Sequence, residues 1–314
     1  MPSQLILICG PTASGKTAAG VFLAQQLNGE VVSADSMQVY RDLVIGTARP
    51  TQEEMAGVPH HMMGVADPRE NYSVARYVQE ATACVEDIFR RGRQPIVVGG
   101  TGLYLDALCQ GRSFSDFRPE TGVRTRLQAQ AAQGGLDALW EQLRQVDPET
   151  AARLHPHDAK RIIRALEVWY DTGQTISQHN RQTQTQPPRY QGVTIALTYR
   201  DRQDLYQRID QRVDQMMARG LAEEVRALLA AGIPRTSTAM QAIGYKELVR
   251  ALDAGGDLAP AVEEIKRRSR QYAKRQLTWF RRKEDTEWIL LDKMQDFSSV
   301  VQISTDYLRE KGLP

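Results

Sequence analysis

The sequence predicts an α/β protein: a P-loop NTPase-like parallel-sheet core with an inserted helical domain. Three observations predict it. The octapeptide Gly10-Pro11-Thr12-Ala13-Ser14-Gly15-Lys16-Thr17 fits G-x-x-x-x-G-K-[ST] and stands between an apolar run and a stretch of helical spacing. Short apolar runs of strand length alternate with helical stretches near both ends of the chain. Between them, residues 115–186 show helical spacing and no convincing strand. The expected division is a core of residues 1–114 and 187–314, with 115–186 as the insertion.

Taken in order, Leu5–Cys9 reads as a buried strand and Thr17–Leu27 as the helix after the loop. Glu30–Asp35 is the second strand, ending in Asp35 and Ser36, followed by Gln38 and Tyr40. Strand ends of this kind face the ligand crevice of a parallel sheet. Residues Asp42 to Asn71 show weak periodicity and several Pro and Gly, and within them Thr47–Pro50 and Pro59–His61 read as loop. The adjacent His60 and His61 lack a third ligand nearby, so loop residues are expected there rather than a metal site. Val74–Arg91 is an amphipathic helix, and Pro95–Val98 a third strand opening into Gly99-Gly100-Thr101-Gly102. The insertion carries helices over 123–132, 136–146, 148–153 and 159–171, then a Gln/Thr/Pro linker over 182–188. Val193–Thr198 is the fourth strand. Asp204–Ala231 is a helix or helix pair broken at Gly220. A polar turn, Ser237–Lys246, leads to another helix. Pro260–Lys283 is the last long helix, and Trp288–Leu291 the fifth strand, before a short terminal helix.

Composition bounds the function classes. The chain has 314 residues, 41% hydrophobic and 25% charged, with net charge +2. These are ordinary values for a globular protein, and a nucleic-acid surface, if present, must be local. Cys9, Cys84 and Cys109 share no metal spacing, so neither a zinc site nor a disulfide framework is expected. Met1 leads directly into the first strand and no apolar run is long enough to cross a bilayer. A monomer in a reducing, cytoplasmic compartment, with no membrane partner, is the expectation.

Candidate chemistry starts at the loop. Backbone N–H groups of Gly10 to Thr17 and the following helix N-terminus make a polyanion site. Lys16 adds a point charge, and the Thr17 hydroxyl is offered to a magnesium ion. The bland reading, a chance glycine-rich turn, does not account for the strand and helix on either side. Asp35 reads equally as a turn or cap residue and as a functional carboxylate. No Asp closes the third strand, which weighs against an ordinary ATPase. Lys160 and Arg164 share a helix face with Arg161 near by, and a solvated face is the ordinary meaning of such residues. Arg208 and Arg212 also share a face. On the last long helix Arg267, Arg270, Lys274 and Arg281 fall on one side with Gln276, Trp279 and Phe280 interleaved, and only Glu263 and Glu264 oppose that charge locally. A solvated face and a nucleic-acid surface weigh about equally there.

Four stretches together carry a resemblance: Gly10–Thr17, Ser33-Ala34-Asp35-Ser36-Met37-Gln38-Val39-Tyr40, Gly99-Gly100-Thr101-Gly102-Leu103-Tyr104, and Lys274-Arg275-Gln276-Leu277-Thr278-Trp279-Phe280-Arg281. With His155-Pro156-His157-Asp158-Ala159-Lys160-Arg161 and Ala242-Ile243-Gly244-Tyr245 they span essentially the whole chain, which resembles the bacterial tRNA dimethylallyltransferases, or tRNA isopentenyltransferases. The resemblance implies transfer of a dimethylallyl group from dimethylallyl diphosphate to the N6 amine of the adenosine 3′ of the anticodon, in tRNAs reading codons that begin with U. It implies diphosphate binding by Gly10 to Thr17, magnesium at Thr17, Asp35 as base, and Thr101, Lys16 and Arg212 in the catalytic group with Arg208 in reserve. It further implies contacts to the tRNA anticodon stem-loop from Asp35, Ser36, Met37, Gln38 and Thr101. The helical insert would add Lys160, Arg161, Ile162, Ile163 and Arg164, and the turn Met240, Gln241, Ala242, Ile243, Gly244 and Tyr245. The basic helix would add Lys274, Arg275, Gln276, Trp279 and Arg281. The zinc finger of eukaryotic relatives is missing from the cysteine spacing. Relatives that modify free adenine nucleotides share the first two motifs but are shorter or lack the helical insert and the basic helix, so those stretches favour tRNA. Two competing readings are a small-molecule kinase, for which no strand-end magnesium Asp is found, and a non-catalytic RNA-binding module, against which Lys16, Thr17 and Asp35 stand.

Overall fold

The structure, a computed structural model, describes residues 3–111, 122–184, 187–291 and 298–313. Its elements run β1 (Gln4–Cys9), α1 (Lys16–Gln26), β2 (Gly29–Ser33), α2 (Gln52–Met55), β3 (His60–His61), α3 (Val74–Arg90), β4 (Gln94–Val98) and α4 (Gly102–Gln110). Then come α5 (Val123–Gln130), α6 (Leu136–Val146), α7 (Pro148–Arg153), α8 (Ala159–Thr172) and α9 (Ile176–Gln184). The chain continues with β5 (Gln191–Thr198), α10 (Arg202–Ala218), α11 (Leu221–Ala230), α12 (Tyr245–Asp253), α13 (Ala259–Phe280), β6 (Thr286–Leu290) and α14 (Ser298–Glu310). It divides into two compact units, Met1–Gly111 with Arg189–Pro314, and Arg112–Pro188.

The first unit is built on one sheet of order β3-β2-β4-β1-β5-β6, and every neighbouring pair is parallel. Its central strands are short runs of Leu, Ile and Val because helices cover both faces, so no alternation is left for solvent. Ile6, Ile8, Val31, Ile96, Val193 and Ile195 form one apolar cluster with Val21, Leu23 and Ala24 of α1. Parallel pairing brings the carboxyl ends of β1, β2 and β4 to one edge of the sheet, where the loops carrying Gly10–Gly15, Ala34–Gln38 and Gly99–Thr101 emerge.

Three elements depart from the sequence reading. His60 and His61 are an edge strand, in register with Val31 and Val32, and not loop. Two polar residues carry no periodicity; the strand is held instead by Glu30, 2% exposed, which takes His61 Nε2 at 2.7 Å together with Arg91 and Arg93. The Arg91 guanidinium, chiefly, holds the Glu30 carboxyl down at about 2. The second departure is α9, which occupies part of the expected linker. Its sequence is polar, and Ser177 N–H donates to Asp147 Oδ2 at 3.1 Å while Gln178 N–H donates to Thr175 Oγ1 at 3.2 Å. The third is α2, a single turn closed by a reciprocal cap between Thr51 and Glu54, inside a stretch whose weak periodicity announced no helix.

The second unit has its own core of Leu127, Leu139, Leu143, Ala151, Ile162, Ile163 and Leu166. Among the described residues, no helix is long and apolar enough to cross a membrane.

Candidate active site

The loop after β1 is curled by positive φ at Gly10, Ala13 and Gly15 (136°, 64° and 76°), and Ser14 Oγ ties it across to Pro11 O at 2.9 Å. Helix α1 starts at Lys16 with no side-chain cap and no acidic residue in its first turn, so its first amides are open to an anion. Lys16 Nζ donates to Pro11 O at 2.5 Å. Burial, and then the nearby Arg212, pull the Lys16 pKa down to about 8.

The end of β2 supplies Asp35. Its Oδ1 accepts from Met37 N–H at 2.8 Å and Gln38 N–H at 3.3 Å, so both hydrogen bonds fall on one carboxylate oxygen. Ser36 N–H donates to Thr101 Oγ1 at 3.1 Å, and Thr101 N–H donates to Ala34 O at 3.2 Å, which locks the ends of β2 and β4 together. Gln38 is held at both ends of its amide. Ser33 Oγ donates to its Oε1 at 3.0 Å, and its Nε2 donates to Thr47 O at 3.2 Å and Ala48 O at 3.4 Å.

Two further helices close the site. On α10, Arg208 and Arg212 both line it. The Arg208 guanidinium lies over the Tyr199 ring at 5.2 Å. The Arg212 Nε is buried with no hydrogen-bond partner; burial lowers the Arg212 pKa, opposed by Asp35. On α13, Gln276 Oε1 accepts from Thr12 N–H at 2.8 Å, and its Nε2 donates to Gly100 O at 2.9 Å. A Cβ at residue 100 would stand 2.1 Å from that Nε2, so glycine is required for the close approach.

The result is a cavity of about 750 Å³ lined by Thr12 to Ala18, Asp35 to Gln38, Gly46 to Pro50, Gln241 to Gly244, Arg208, Arg212, Tyr272, Arg275 and Gln276. That volume suits a small molecule together with part of a larger one. Of the expected catalytic and diphosphate-binding residues, Gly10, Pro11 and Thr101 are not among those that line the cavity; Thr101 reaches the site through its hydroxyl, which accepts from the Ser36 N–H.

Several expected RNA contacts fall elsewhere. Ile162 and Ile163 are core side chains, 0% and 7% exposed, because α8 turns its apolar face inward. On the same helix Arg164 is tied to the buried Glu167 at 2.8 Å, while Lys160 and Arg161 are exposed. Met240 and Tyr245 are fully buried, and Gln276, 5% exposed, spends its amide on the phosphate loop and Gly100. Lys274, Arg275 and Trp279 on α13, and Arg281 just past its end, are exposed, and Trp279 Nε1 donates to Asp106 at 2.8 Å. Nearer its start, Arg270 meets Asp210 at 2.5 Å and Lys266 meets Asp214 at 2.8 Å. Those acids come from α10, so more charge opposes α13 than its own Glu263 and Glu264 supply.

Among the cavity residues that the sequence reading did not place in a site are Arg49, Glu54, His60 and Tyr272. Only Tyr272 left a signal, one helical turn before Gln276. Among the described residues, no group of three His, Cys, Asp or Glu is placed to hold a metal ion.

A family model described as IPP transferase matches residues 38–283, and one described as isopentenyl transferase matches residues 3–64. The tRNA dimethylallyltransferase of Thermoanaerobacter sp. (strain X514) is 45% identical over 312 residues, 99% of each chain. The crystal structure of the full-length tRNA isopentenylpyrophosphate transferase from Bacillus halodurans aligns with a TM-score of 0.72 at 44% identity, covering 99% of this chain and 98% of that one. A eukaryotic dimethylallyltransferase acting on tRNA, captured in crystallographic snapshots, aligns with a TM-score of 0.82 at 32% identity, covering 99% of this chain and 80% of that one.

Proposed function

The chain belongs to the IPP transferase family, the tRNA dimethylallyltransferases, and on that premise we propose that it alkylates the N6 amine of the adenosine 3′ of the anticodon with dimethylallyl diphosphate, releasing diphosphate. One observation carries the reading. The phosphate loop, the strand-end carboxylate Asp35 and the buried guanidinium of Arg212 line a single cavity.

The roles derive from the chemistry. The open amides of the loop, Lys16 and Arg212 bind the diphosphate. As the allylic C–O bond breaks, negative charge grows on that leaving group, and preorganised donors stabilise it most at that moment. The adenine amine is a weak nucleophile because its lone pair is shared with the ring, and Asp35 takes its proton as the new C–N bond forms. Ser36, Met37 and Gln38 meet the base, which must leave the loop stack to reach Asp35. Thr17 would offer its hydroxyl as a ligand to a magnesium ion bound with the diphosphate. Thr17 lines the cavity, and among the described residues no group of three His, Cys, Asp or Glu is placed to hold a metal by itself. Such an ion would neutralise part of the leaving group's charge.

The exposed Lys274 and Arg275 on α13, Arg281 just past its end, and Lys160 and Arg161 on the helical unit are proposed to hold the anticodon stem-loop backbone. The preference for tRNAs reading codons that begin with U, a monomeric state and a cytoplasmic location belong to the same proposal.

The test is a transfer assay with labelled dimethylallyl diphosphate, magnesium, an unmodified anticodon stem-loop, a matched loop without the target adenosine, and AMP. Label on the first loop alone is expected. Label on AMP would move the activity to free nucleotides, and ATP turnover without prenyl transfer would favour the kinase.

A further inference from the structure

The segment Val44 to Gly46 forms neither helix nor strand, yet its three successive amides converge on one carboxylate from much later in the chain. Glu224, on α11, accepts from Val44 N–H at 3.0 Å, Ile45 N–H at 2.7 Å and Gly46 N–H at 3.2 Å. The buried Tyr245 hydroxyl donates to the same carboxylate at 2.5 Å. Its ring lies where a Cβ on residue 46 would be, 2.5 Å away, so ring and backbone are in direct contact. A carboxylate in a nest of three N–H groups is a set of charge-assisted bonds, stronger than the neutral bonds of an ordinary loop.

Beyond this anchor the chain becomes a wall of the cavity. Gly46 to Pro50 line it, and the Thr47 and Ala48 carbonyls hold the Gln38 Nε2. Arg49 then reaches back to Tyr40 O and, at 3.3 Å, to Gln38 O. The path therefore runs from the Glu224 carboxylate through three amides to two carbonyls, and from these to the amide of Gln38. None of Glu224's hydrogen bonds touches the phosphate loop or Arg212.

We propose that Glu224, braced by Tyr245, is a positioning residue for the acceptor half of the cavity. It fixes the Gly46–Pro50 wall and so sets the orientation in which Gln38 meets the acceptor base. This rests on reading the cavity as a prenyl-transfer site, and it assigns acceptor selection and diphosphate grip to separate sets of contacts.

Glu224→Gln places an NH₂ against N–H donors while keeping size and shape. Backbone exchange at residues 44–46 is expected to quicken, and affinity for an unmodified anticodon stem-loop to fall roughly tenfold, the scale of one charge-assisted hydrogen bond. Calorimetric affinity for dimethylallyl diphosphate should stay within about twofold of wild type. Tyr245→Phe should shift the stem-loop affinity the same way by roughly threefold, as one of several bonds. Unchanged exchange, unchanged stem-loop affinity, or equal losses for both ligands would overturn the proposal. Should Glu224→Gln fail to fold, Tyr245→Phe decides alone: a loss confined to the stem-loop supports the proposal, and no loss overturns it. These readouts need no turnover. Failure of the wild type to transfer label would therefore count against the proposed reaction, while exchange and binding still decide the role of Glu224.

Discussion

Along the first half of α13, Lys266 meets Asp214, Arg267 and Arg268 share Glu264, and Arg270 meets Asp210. In the cavity, among the described residues, the Lys16 ammonium donates to the carbonyl of Pro11 and the Nε of Arg212 has no hydrogen-bond partner. The titration of the two lysines moves in opposite directions: Asp214 raises Lys266, whereas burial lowers Lys16 to about 8. A surface pair is nearly neutral for stability. A buried cation with no carboxylate bonded to it costs stability, even with Asp35 near enough to oppose part of that cost, and its persistence marks a place prepared for an anion. Density of charge in a sequence is therefore a poor guide to where charge is available.

The contrast can be broken or sharpened by substitution. Lys16→Ala should cost the most, roughly 10²–10³-fold in single-turnover transfer, the scale for removing a leaving-group stabiliser. Lys266→Ala, by contrast, should stay within about threefold of wild type. Asp35→Asn comes next, with a loss of roughly 10²-fold in transfer and donor binding largely kept. Equal turnover in mutant and wild type would remove Asp35 from the base role.

The depressed Lys16 pKa gives a pH signature. Its ammonium is the form that binds an anion, and it is lost as pH rises through about 8 in the free protein. Affinity for dimethylallyl diphosphate should thus decline between neutral pH and pH values well above 8. Calorimetry on Lys16→Arg should show no such decline, since guanidinium stays charged. The smallest effects belong to α13. Lys274→Ala should lower the salt slope of stem-loop binding by about one. Arg270→Ala should leave that slope alone, because Asp210 already answers its charge. Equal changes in both slopes would erase the distinction between paired and free cations on this helix.

How much of this was legible in the sequence depends on the range of the forces involved. β1, β4 and β5 are read from apolar runs because their burial on both faces leaves a local trace. β3 leaves none, since its two histidines are placed by Glu30 across the sheet edge. α9 is polar and is held by Asp147, the residue between α6 and α7. The phosphate loop and Asp35 are local motifs, and Thr12 to Thr17 and Asp35 line the cavity. Gln276 was legible as part of a motif, but its partner Thr12 lies 264 positions away, so its brace on the phosphate loop is a tertiary fact. The neutralising acids of α10, and the Glu224 anchor, were hidden for the same reason.

The most direct test of the cavity's unpaired charge is single-turnover transfer by Arg212→Ala with both substrates saturating, beside the binding affinity of the stem-loop. A rate lower by roughly 10²-fold or more, with stem-loop affinity unchanged, is the predicted result. A rate equal to wild type would contradict the claim that this guanidinium is held unpaired for the leaving diphosphate.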